Sequence, residues 1–266
     1  MLTASIVTYH TPSSELEQCF NSLASSGYVS KLYIVDNGQE QRIREFAANA
    51  PIPTEYIALP NPGYGTAHNT AINRADKIGA KYHLVLNTDV KFGKEVVPKL
   101  LEYLETHKDT GMVQPRIVNT EGQLEPTARL VPTPFDLILR RFLPNSLFPN
   151  RRKKYLLTHI DHSQPFNAPY LEGSFMLMRV EALRQTGGFD EQFFMYPEDI
   201  DLTRRMHRHW RTVYCPIAQI THAHKRASYT SMRMLWTHCS NMIKYFNKWG
   251  WLNDAERRQF NKPLLP

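Results

Sequence analysis

The sequence predicts an α/β domain of the nucleotide-binding kind with a C-terminal helical extension, and three observations carry that expectation. Apolar, β-branched runs alternate with helix-period segments through the first hundred residues; polar clusters rich in Asp, Asn and Gly close three of those runs; and the end of the chain has an apolar stripe at helical spacing. A chain of 266 residues is long enough to bury one large core and carry a small appendage.

Leu2 to Tyr9 is the first strand, and Ser14-Glu15-Leu16-Glu17 reads as a capping box opening a helix with Leu16, Phe20 and Leu23 on one face, ended by Gly27. Lys31 to Asp36 is a second strand, Glu40 to Asn49 a helix, and Thr54 to Leu59 a third strand broken by Pro60. A helix from Thr66 to Ile78 stops at Gly79; Tyr82 to Leu86 is the next strand, and Val96, Val97, Leu100, Leu101 and Leu104 mark the helix after it. From Pro126 to Pro149 prolines recur and periodicity is lost, and the basic run Arg151-Arg152-Lys153-Lys154 follows, which predicts a mobile loop region. Tyr170 to Arg179 then reads as a strand, Val180 to Thr186 as a short helix, Gly187-Gly188 as a sharp turn, and Glu198 to His209 as a polar helix.

Composition narrows the function. Hydrophobic residues at 42% and charged ones at 21% exclude the disordered and collagenous classes. No window holds the roughly 18 apolar residues of a spanning helix, and the N-terminus lacks a basic region with an apolar signal core, so the expectation is a protein neither integral nor secreted. Cys19, Cys215 and Cys239 are far apart and odd in number, which argues against a disulfide framework or paired-thiolate zinc site and fits a reducing cytoplasm. A net charge of +7 implies an anionic partner: nucleic acid, a bilayer surface or a diphosphate. Nucleic acid has only that charge and aromatics such as Trp249 and Trp251 in its favour, without zinc-finger spacing or a ribonucleoprotein signature, and is not expected.

Open α/β sheets bind ligands at the carboxyl ends of their strands, where Asp36-Asn37-Gly38, Asn61-Pro62-Gly63-Tyr64-Gly65 and Asn87-Thr88-Asp89 fall. Ionised Asp36 can accept the imide N–H of uracil or thymine, although Asp-Asn-Gly is also good turn chemistry. The glycine-rich stretch precedes a helix start, so its amides are able to face phosphate or sugar oxygens; it lacks the Lys-Ser/Thr ending of a P-loop and the third glycine of a dinucleotide fingerprint. Asn87 and Asp89 offer oxygen ligands for magnesium or manganese on a diphosphate, the alternative being an N-cap for the next helix.

Glu198-Asp199-Ile200-Asp201 places three carboxylates in four positions beside Phe193, Phe194 and Tyr196. Their repulsion raises at least one pKa, as a general base for a sugar hydroxyl requires, while Asp201 is equally explained by an ion pair with Arg205 four residues on. His222 and His224 end the apolar run Ile217 to Ile220 and are able to complete a metal shell, but His207 and His209 have the same spacing on a polar helix, so the spacing alone proves little.

Taken together, Tyr-His-Thr at 9 to 11, Tyr-Ile-Val-Asp-Asn-Gly at 33 to 38, Asn-Pro-Gly-Tyr-Gly at 61 to 65 and Leu-Asn-Thr-Asp-Val at 86 to 90 resemble family 2 glycosyltransferases. Glu172-Gly173-Ser174-Phe175, Gly187-Gly188-Phe189-Asp190-Glu191 and Glu198-Asp199-Ile200-Asp201-Leu202 resemble the acceptor half of that family, its rhamnosyltransferase-like members in particular. The resemblance implies a GT-A fold over 1–230, with a nucleotide-sugar half to about 110 and an acceptor half beyond it, and an amphipathic basic tail over 231–266. It implies Asp199 as catalytic base of single-displacement inversion; Thr8, Tyr9, Asp36, Asn61, Gly63, Asn69 and Asn87 at the donor; Glu172, Gly173, Tyr196 and Glu198 at the acceptor; and Mn2+ or Mg2+ on Asp89 with His222, or alternatively His224. Asn87 departs from the strict metal motif, which has a second Asp there. The implied donor is a nucleoside-diphosphate sugar, dTDP-rhamnose favoured over a UDP-sugar, and the acceptor a saccharide or polyprenyl-diphosphate-linked sugar of cell-surface polysaccharide. A catalytically silent nucleotide-sugar-binding scaffold is the alternative, against which Glu198-Asp199 and Asp89 stand.

In the tail, Met232, Leu235, Trp236, Cys239, Met242, Ile243 and Phe246 form an apolar stripe accompanied by Arg233, Lys244, Lys248, Arg257 and Arg258. Two readings are open, a peripheral segment on the anionic inner face of the cell membrane, and packing on the catalytic domain or on a second subunit of a homo-oligomer.

Overall fold

The protein's structure, a computed structural model, describes residues 1–139, 147–223 and 232–266, with the backbone alone at 138, 139 and 232–234. The strands β1 (Leu2–Thr8), β2 (Val29–Asp36), β3 (Thr54–Ala58), β4 (Tyr82–Leu86), β5 (Val90–Phe92), β6 (Thr110–Val118), β7 (Ala128–Arg129), β8 (Phe166–Asn167), β9 (Tyr170–Leu171), β10 (Phe175–Arg179) and β11 (Arg211–His222) are joined by helices α1 (Ser13–Ser26), α2 (Gln41–Ala48), α3 (Tyr64–Lys77), α4 (Val96–Thr106), α5 (Pro149–Tyr155), α6 (Val180–Thr186), α7 (Glu198–Met206), α8 (Met232–Trp249) and α9 (Ala255–Asn261). The main sheet runs β3-β2-β1-β4-β10-β6-β11-β5, with β8 beside β11; β7 and β9 form a separate two-stranded ladder.

Neighbours β3, β2, β1 and β4 are parallel. β10 enters antiparallel between β4 and β6, with Phe175 opposite Leu86 and Arg179 opposite Tyr82. Period-two alternation explains the layers: Leu32 and Ile34 point into a core with Leu16, Phe20 and Leu23 of α1 and Val97, Leu100 and Leu104 of α4, while Tyr33 and Val35 point to the other face. There Ala67, Ala71 and Ala75 give α3 a small-residue stripe that lets it lie close on the sheet, and Ala182, Leu183, Leu202 and Met206 of α6 and α7 cover the neighbouring strands. Beneath α3 a buried polar chain runs Thr3, His83, Ser5, His68 with contacts of 2.7–2.8 Å; burial lowers both imidazole pKa values, that of His83 to about 3, so both stay neutral.

Several expected elements differ in detail. The capping box is not formed, because α1 begins at Ser13 behind Pro12 and Ser14 lies inside the helix; Gly27 does end it, in the left-handed region at φ 69°. The Tyr170–Arg179 segment is two strands, β9 and β10, separated by the turn at Glu172–Ser174 that carries site residues. The proline-rich segment starts inside the protein: Ala128, Leu130 and Val131 are buried, and α5 follows where only a basic run was legible.

The apolar stripe of α8 divides. Tyr245 and Phe246 are buried with Phe193 and with Ile200 of α7, and Met242 is buried too, whereas Trp236 and Ile243 are exposed. The attachment is electrostatic as well as apolar. Arg204, 1% exposed on α7, donates to both oxygens of Asp254 (2.8 and 2.6 Å) and to Glu256 (2.8 Å), with its guanidinium 4.1 Å from the Trp249 ring. Asp201, fully buried, accepts from Arg205 (2.7 Å), Lys248 (2.6 Å) and the Trp249 indole N–H (2.8 Å), so the expected Asp201–Arg205 pair is present and is joined by two donors from α8. Asp254 also accepts from the Arg257 amide as the N-cap of α9. Replacing Asp254 by Ala strands a buried guanidinium and is expected to lower unfolding free energy by about 3–5 kcal/mol. Glu256→Ala, at a more exposed partner, is expected to cost about 1 kcal/mol or less. Urea unfolding measures both, and a loss below about 1 kcal/mol for Asp254→Ala would show that α9 does not secure α7.

Candidate active site

The chain turns away from the sheet where β1, β2 and β4 end. β2 and β4 flank β1 on opposite sides, which opens a crevice at their carboxyl ends. Thr8, Asp36 and Asn87–Asp89 stand there. Asp36 is fully buried and accepts from Thr8 Oγ1 (2.9 Å), the Gly38 amide (3.0 Å), the Glu40 amide (2.6 Å) and the Tyr56 hydroxyl (2.9 Å). Those four donors fill a carboxylate's acceptor places, so Asp36 builds the turn expected of Asp-Asn-Gly, and a base N–H reaches it only where one donor, such as the Tyr56 hydroxyl, turns away. Tyr9 is exposed, its ring beside His10.

The glycines of the Asn-Pro-Gly-Tyr-Gly stretch admit the close approach of the 189–194 segment. Gly63, at φ 106°, lies so near Phe194 that an added Cβ would sit 2.3 Å from that carbonyl oxygen, and at Gly65 it would sit 2.8 Å from Phe189 Cβ. The Tyr64 amide donates to Phe194 O (2.9 Å), so one amide of the expected phosphate cradle is already used in binding the 189–194 segment to α3. Asn69 binds the same segment: its side-chain amide donates to Phe189 O (2.8 Å) and Glu191 (3.2 Å) and accepts from the Phe189 N–H (2.8 Å). Asn61 is half-buried at φ 53°.

Tyr64, to which the sequence reading gave no role, joins the halves. Its buried hydroxyl lies 2.8 Å from Asn87 Oδ1 and 2.9 Å from the Gly173 carbonyl, and the Asn87 amide donates to Ser174 O (2.9 Å). Burial, then the charges of Glu198 and Asp199, hold its pKa well above the ordinary value, so the hydroxyl stays protonated. The signal was the Tyr inside a motif whose glycines drew the attention.

Asp89 does not cap a helix, since β5 follows it directly. The β5–β11 register pairs Val90 with His222, and this sets His222 Nε2 3.0 Å from Asp89 Oδ1 across 133 residues of sequence. Burial disfavours an imidazolium at His222, but the bond to and charge of Asp89, with Glu172 and Glu125, outweigh it and raise its pKa. That negative field suits a divalent cation. Among the described residues no group of three or more His, Cys, Asp or Glu side chains forms a cage; Asp89 and His222 are the pair placed to share an ion with the phosphates of a substrate. His224 lies outside the described residues.

Across from this pair, Asp199 opens α7. Its Oδ2 accepts from the Gly173 amide (3.0 Å) and the Tyr170 hydroxyl (3.3 Å), and its Oδ1 from the Ile200 amide (2.8 Å). A side chain at 173 would meet Asp199 Cβ at 3.3 Å, so glycine there admits the contact. Burial and the Glu172 charge push the Asp199 pKa up to about 6, against the opposing amide bonds and the Arg129 cation. Arg129 binds Glu172 at 2.6 Å and, at 3.3 Å, the Tyr170 hydroxyl. It comes from the proline-rich segment, where no periodicity marked it. Glu198, 5% exposed, is raised well above the ordinary carboxylate value by burial and then by the Asp199 charge, with Oε2 lacking a partner among the described residues. The expected repulsion therefore shows at Glu198, raised by Asp199, whereas the charge that raises Asp199 is that of Glu172. Tyr196, at φ 65°, sets its ring against His238 of α8, and its carbonyl accepts from the Glu198 amide (2.6 Å).

Residues 2–237 match the family model described as glycosyltransferase like family 2. An N-acetylglucosaminyl-diphospho-decaprenol L-rhamnosyltransferase of Mycobacterium tuberculosis is 32% identical over 242 residues, covering 84% of this chain and 75% of that one. The low-salt glycan biosynthesis hexosyltransferase Agl10 of Haloferax volcanii is 29% identical over 68% of this chain and 54% of its own. Among solved structures, S. aureus TarS 1-349 superposes with TM-score 0.61 at 15% identity over 98% of this chain and 69% of that one. The mannosyltransferase PcManGT of Pyrobaculum calidifontis, solved with GDP-Man and Mn2+, gives 0.59 at 16% over 91% and 64%. A family match over most of its length, a relative at that identity and a shared GT-A architecture together make this chain a glycosyltransferase, and it belongs to glycosyltransferase family 2.

Proposed function

We propose that the enzyme is an inverting transferase that moves a sugar, rhamnose from dTDP-rhamnose, onto a hydroxyl of a polyprenyl-diphosphate-linked saccharide at the inner face of the cell membrane in cell-surface polysaccharide synthesis. The observation that carries the reading is one titratable carboxylate, Asp199, held by the Gly173 amide on the acceptor side, with the Asp89–His222 pair across the Tyr64 bridge. The donor sugar and the lipid-linked acceptor come from the mycobacterial relative, named for both, and rest on analogy. Among the described residues no helix is long and apolar enough to cross a membrane, so contact with the bilayer is read as peripheral.

In this reading Thr8, Asp36 and the Tyr56 hydroxyl shape the base pocket, and Glu172, Gly173, Tyr196 and Glu198 line the acceptor side. Asp89 and His222 would hold Mn2+ or Mg2+, which neutralises charge on a departing diphosphate. Asp199 accepts the proton of the acceptor hydroxyl as the oxygen attacks the anomeric carbon from the face opposite the leaving group. Arg129, paired with Glu172, keeps the base from rising further in pKa. Because the base must be ionised, kcat is expected to rise with pH along a limb near 6. Arg129→Met, which removes a cation and frees Glu172, should move that limb to higher pH, and Glu172→Gln should move it lower. A limb that neither variant moves would remove Asp199 from the role.

Three further outcomes test the assignment. Asp199→Asn should keep donor binding within about twofold while kcat falls about 100-fold or more, and retention of more than about a tenth of the rate would contradict general-base catalysis. Asp89→Ala and His222→Ala should each abolish the manganese dependence of nucleoside diphosphate binding measured by calorimetry, whereas His224→Ala should leave it intact; the reverse result for the two histidines would exchange their roles. In a donor panel, turnover should be highest with dTDP-rhamnose, and a UDP-hexose used equally well would overturn the donor assignment.

A further inference from the structure

The basic tail proposed from sequence as the membrane contact is largely engaged elsewhere. Lys248 is bound to Asp190 and Asp201, Lys244 to the Gln192 carbonyl, Arg257 and Met242 are buried, and Tyr245 and Phe246 pack with Ile200 of α7. A second surface has the same chemistry and is free to use it. From 137 to 160 the sequence contains no acidic residue. On α5, Arg151, Arg152, Lys153 and Lys154 are all exposed, and just before it Leu147 and Phe148 are 54% and 47% exposed. Arg151 pairs with Asp136 at 3.1 Å and lies over the Phe135 ring, on which Phe148 packs edge-on. Among the described residues Arg152, Lys153 and Lys154 form no ion pair. The helix is fixed from the other side: Tyr155 and Leu156 are buried with Leu130 and Leu157, so the cations and the two apolar side chains are presented by an anchored element.

We infer that Leu147, Phe148 and the cations Arg152, Lys153 and Lys154 form the surface on which the enzyme rests against an anionic phospholipid bilayer. Such a layer takes apolar side chains below the headgroups and pairs cations with phosphate, the two properties placed side by side here. The inference rests on the membrane reading above and changes its location. The surface also has a direct link to the acceptor side. Leu130 donates its amide to the Tyr155 carbonyl at 3.1 Å, and the preceding residue is Arg129, which holds Glu172 beside Asp199. A lipid-borne hydroxyl would therefore approach the base from the face that touches the headgroups.

Sedimentation of the full chain with phosphatidylglycerol–phosphatidylcholine vesicles, and with phosphatidylcholine alone, tests this. The wild type should bind the anionic vesicles and release at high salt. Arg152→Glu, Lys153→Glu and Lys154→Glu together should weaken binding on the order of 100-fold. Leu147→Ser with Phe148→Ser should also weaken it, and Trp236→Ser with Ile243→Ser on α8 should not. Manganese-dependent binding of a nucleoside diphosphate, unchanged in each variant, shows that the fold is intact. If the wild type binds and both the charge-reversed and the Leu147/Phe148 variants bind equally well, or the α8 variant alone loses binding, this surface is wrong while the membrane reading stands. No binding to anionic vesicles by the wild type, or equal binding to neutral ones, would overturn both.

Discussion

The site depends on the register in which β10 enters the sheet. By running antiparallel to β4 with Phe175 opposite Leu86, it brings the turn before β10 level with the turn after β4, so that Ser174 O meets the Asn87 amide and Gly173 O meets the Tyr64 hydroxyl. A slip by one residue would exchange the faces of Met176, Leu177 and Met178 between two cores and is resisted by both. Everything that follows chemically is a consequence of that junction: Gly173 is close enough to donate to Asp199, and the Asp89–His222 pair lies across the Tyr64 bridge.

Electrostatics then has to single out one acid among four. Asp89, Glu172, Glu198 and Asp199 all act on Tyr64, whose proton is held the more firmly for it. His222 shares the field of Asp89, Arg129 pairs with Glu172, and burial raises Glu198 well above the ordinary carboxylate value, while Asp199 is pushed up to about 6. The C-terminal helices belong to this arrangement because Asp201 and Arg204, on the same helix as Asp199, are tied to Lys248, Trp249 and Asp254; the proposed base is held from behind by the end of the chain.

Much of this was legible in the sequence for a local reason. Strand ends and helix starts are written in short windows, so Asp36, Asn87, Asp89 and Asp199 stood out by residue type beside apolar runs, and three carboxylates in four positions announced a perturbed acid. What was hidden is long-range. Nothing near Arg129 marks it as a partner of Glu172, and the pairing of Val90 with His222 that brings His222 to Asp89 depends on a strand beginning at Arg211 that periodicity did not mark. Asn69 and Gly63 were legible as special, but their contact with the 189–194 segment, more than a hundred residues away, was not. The stripe of α8 showed an apolar face without showing that its inner half meets Phe193 and Ile200.

A single base acting on the acceptor, with no protein nucleophile bonded to the sugar, permits one stereochemical course. Proton NMR of the glycosidic linkage formed by the purified enzyme from a donor of known anomeric configuration reads that course directly. The account predicts a product whose anomeric configuration is opposite to that of the donor; a product with the donor's configuration retained would require a second displacement and would contradict the role given to Asp199.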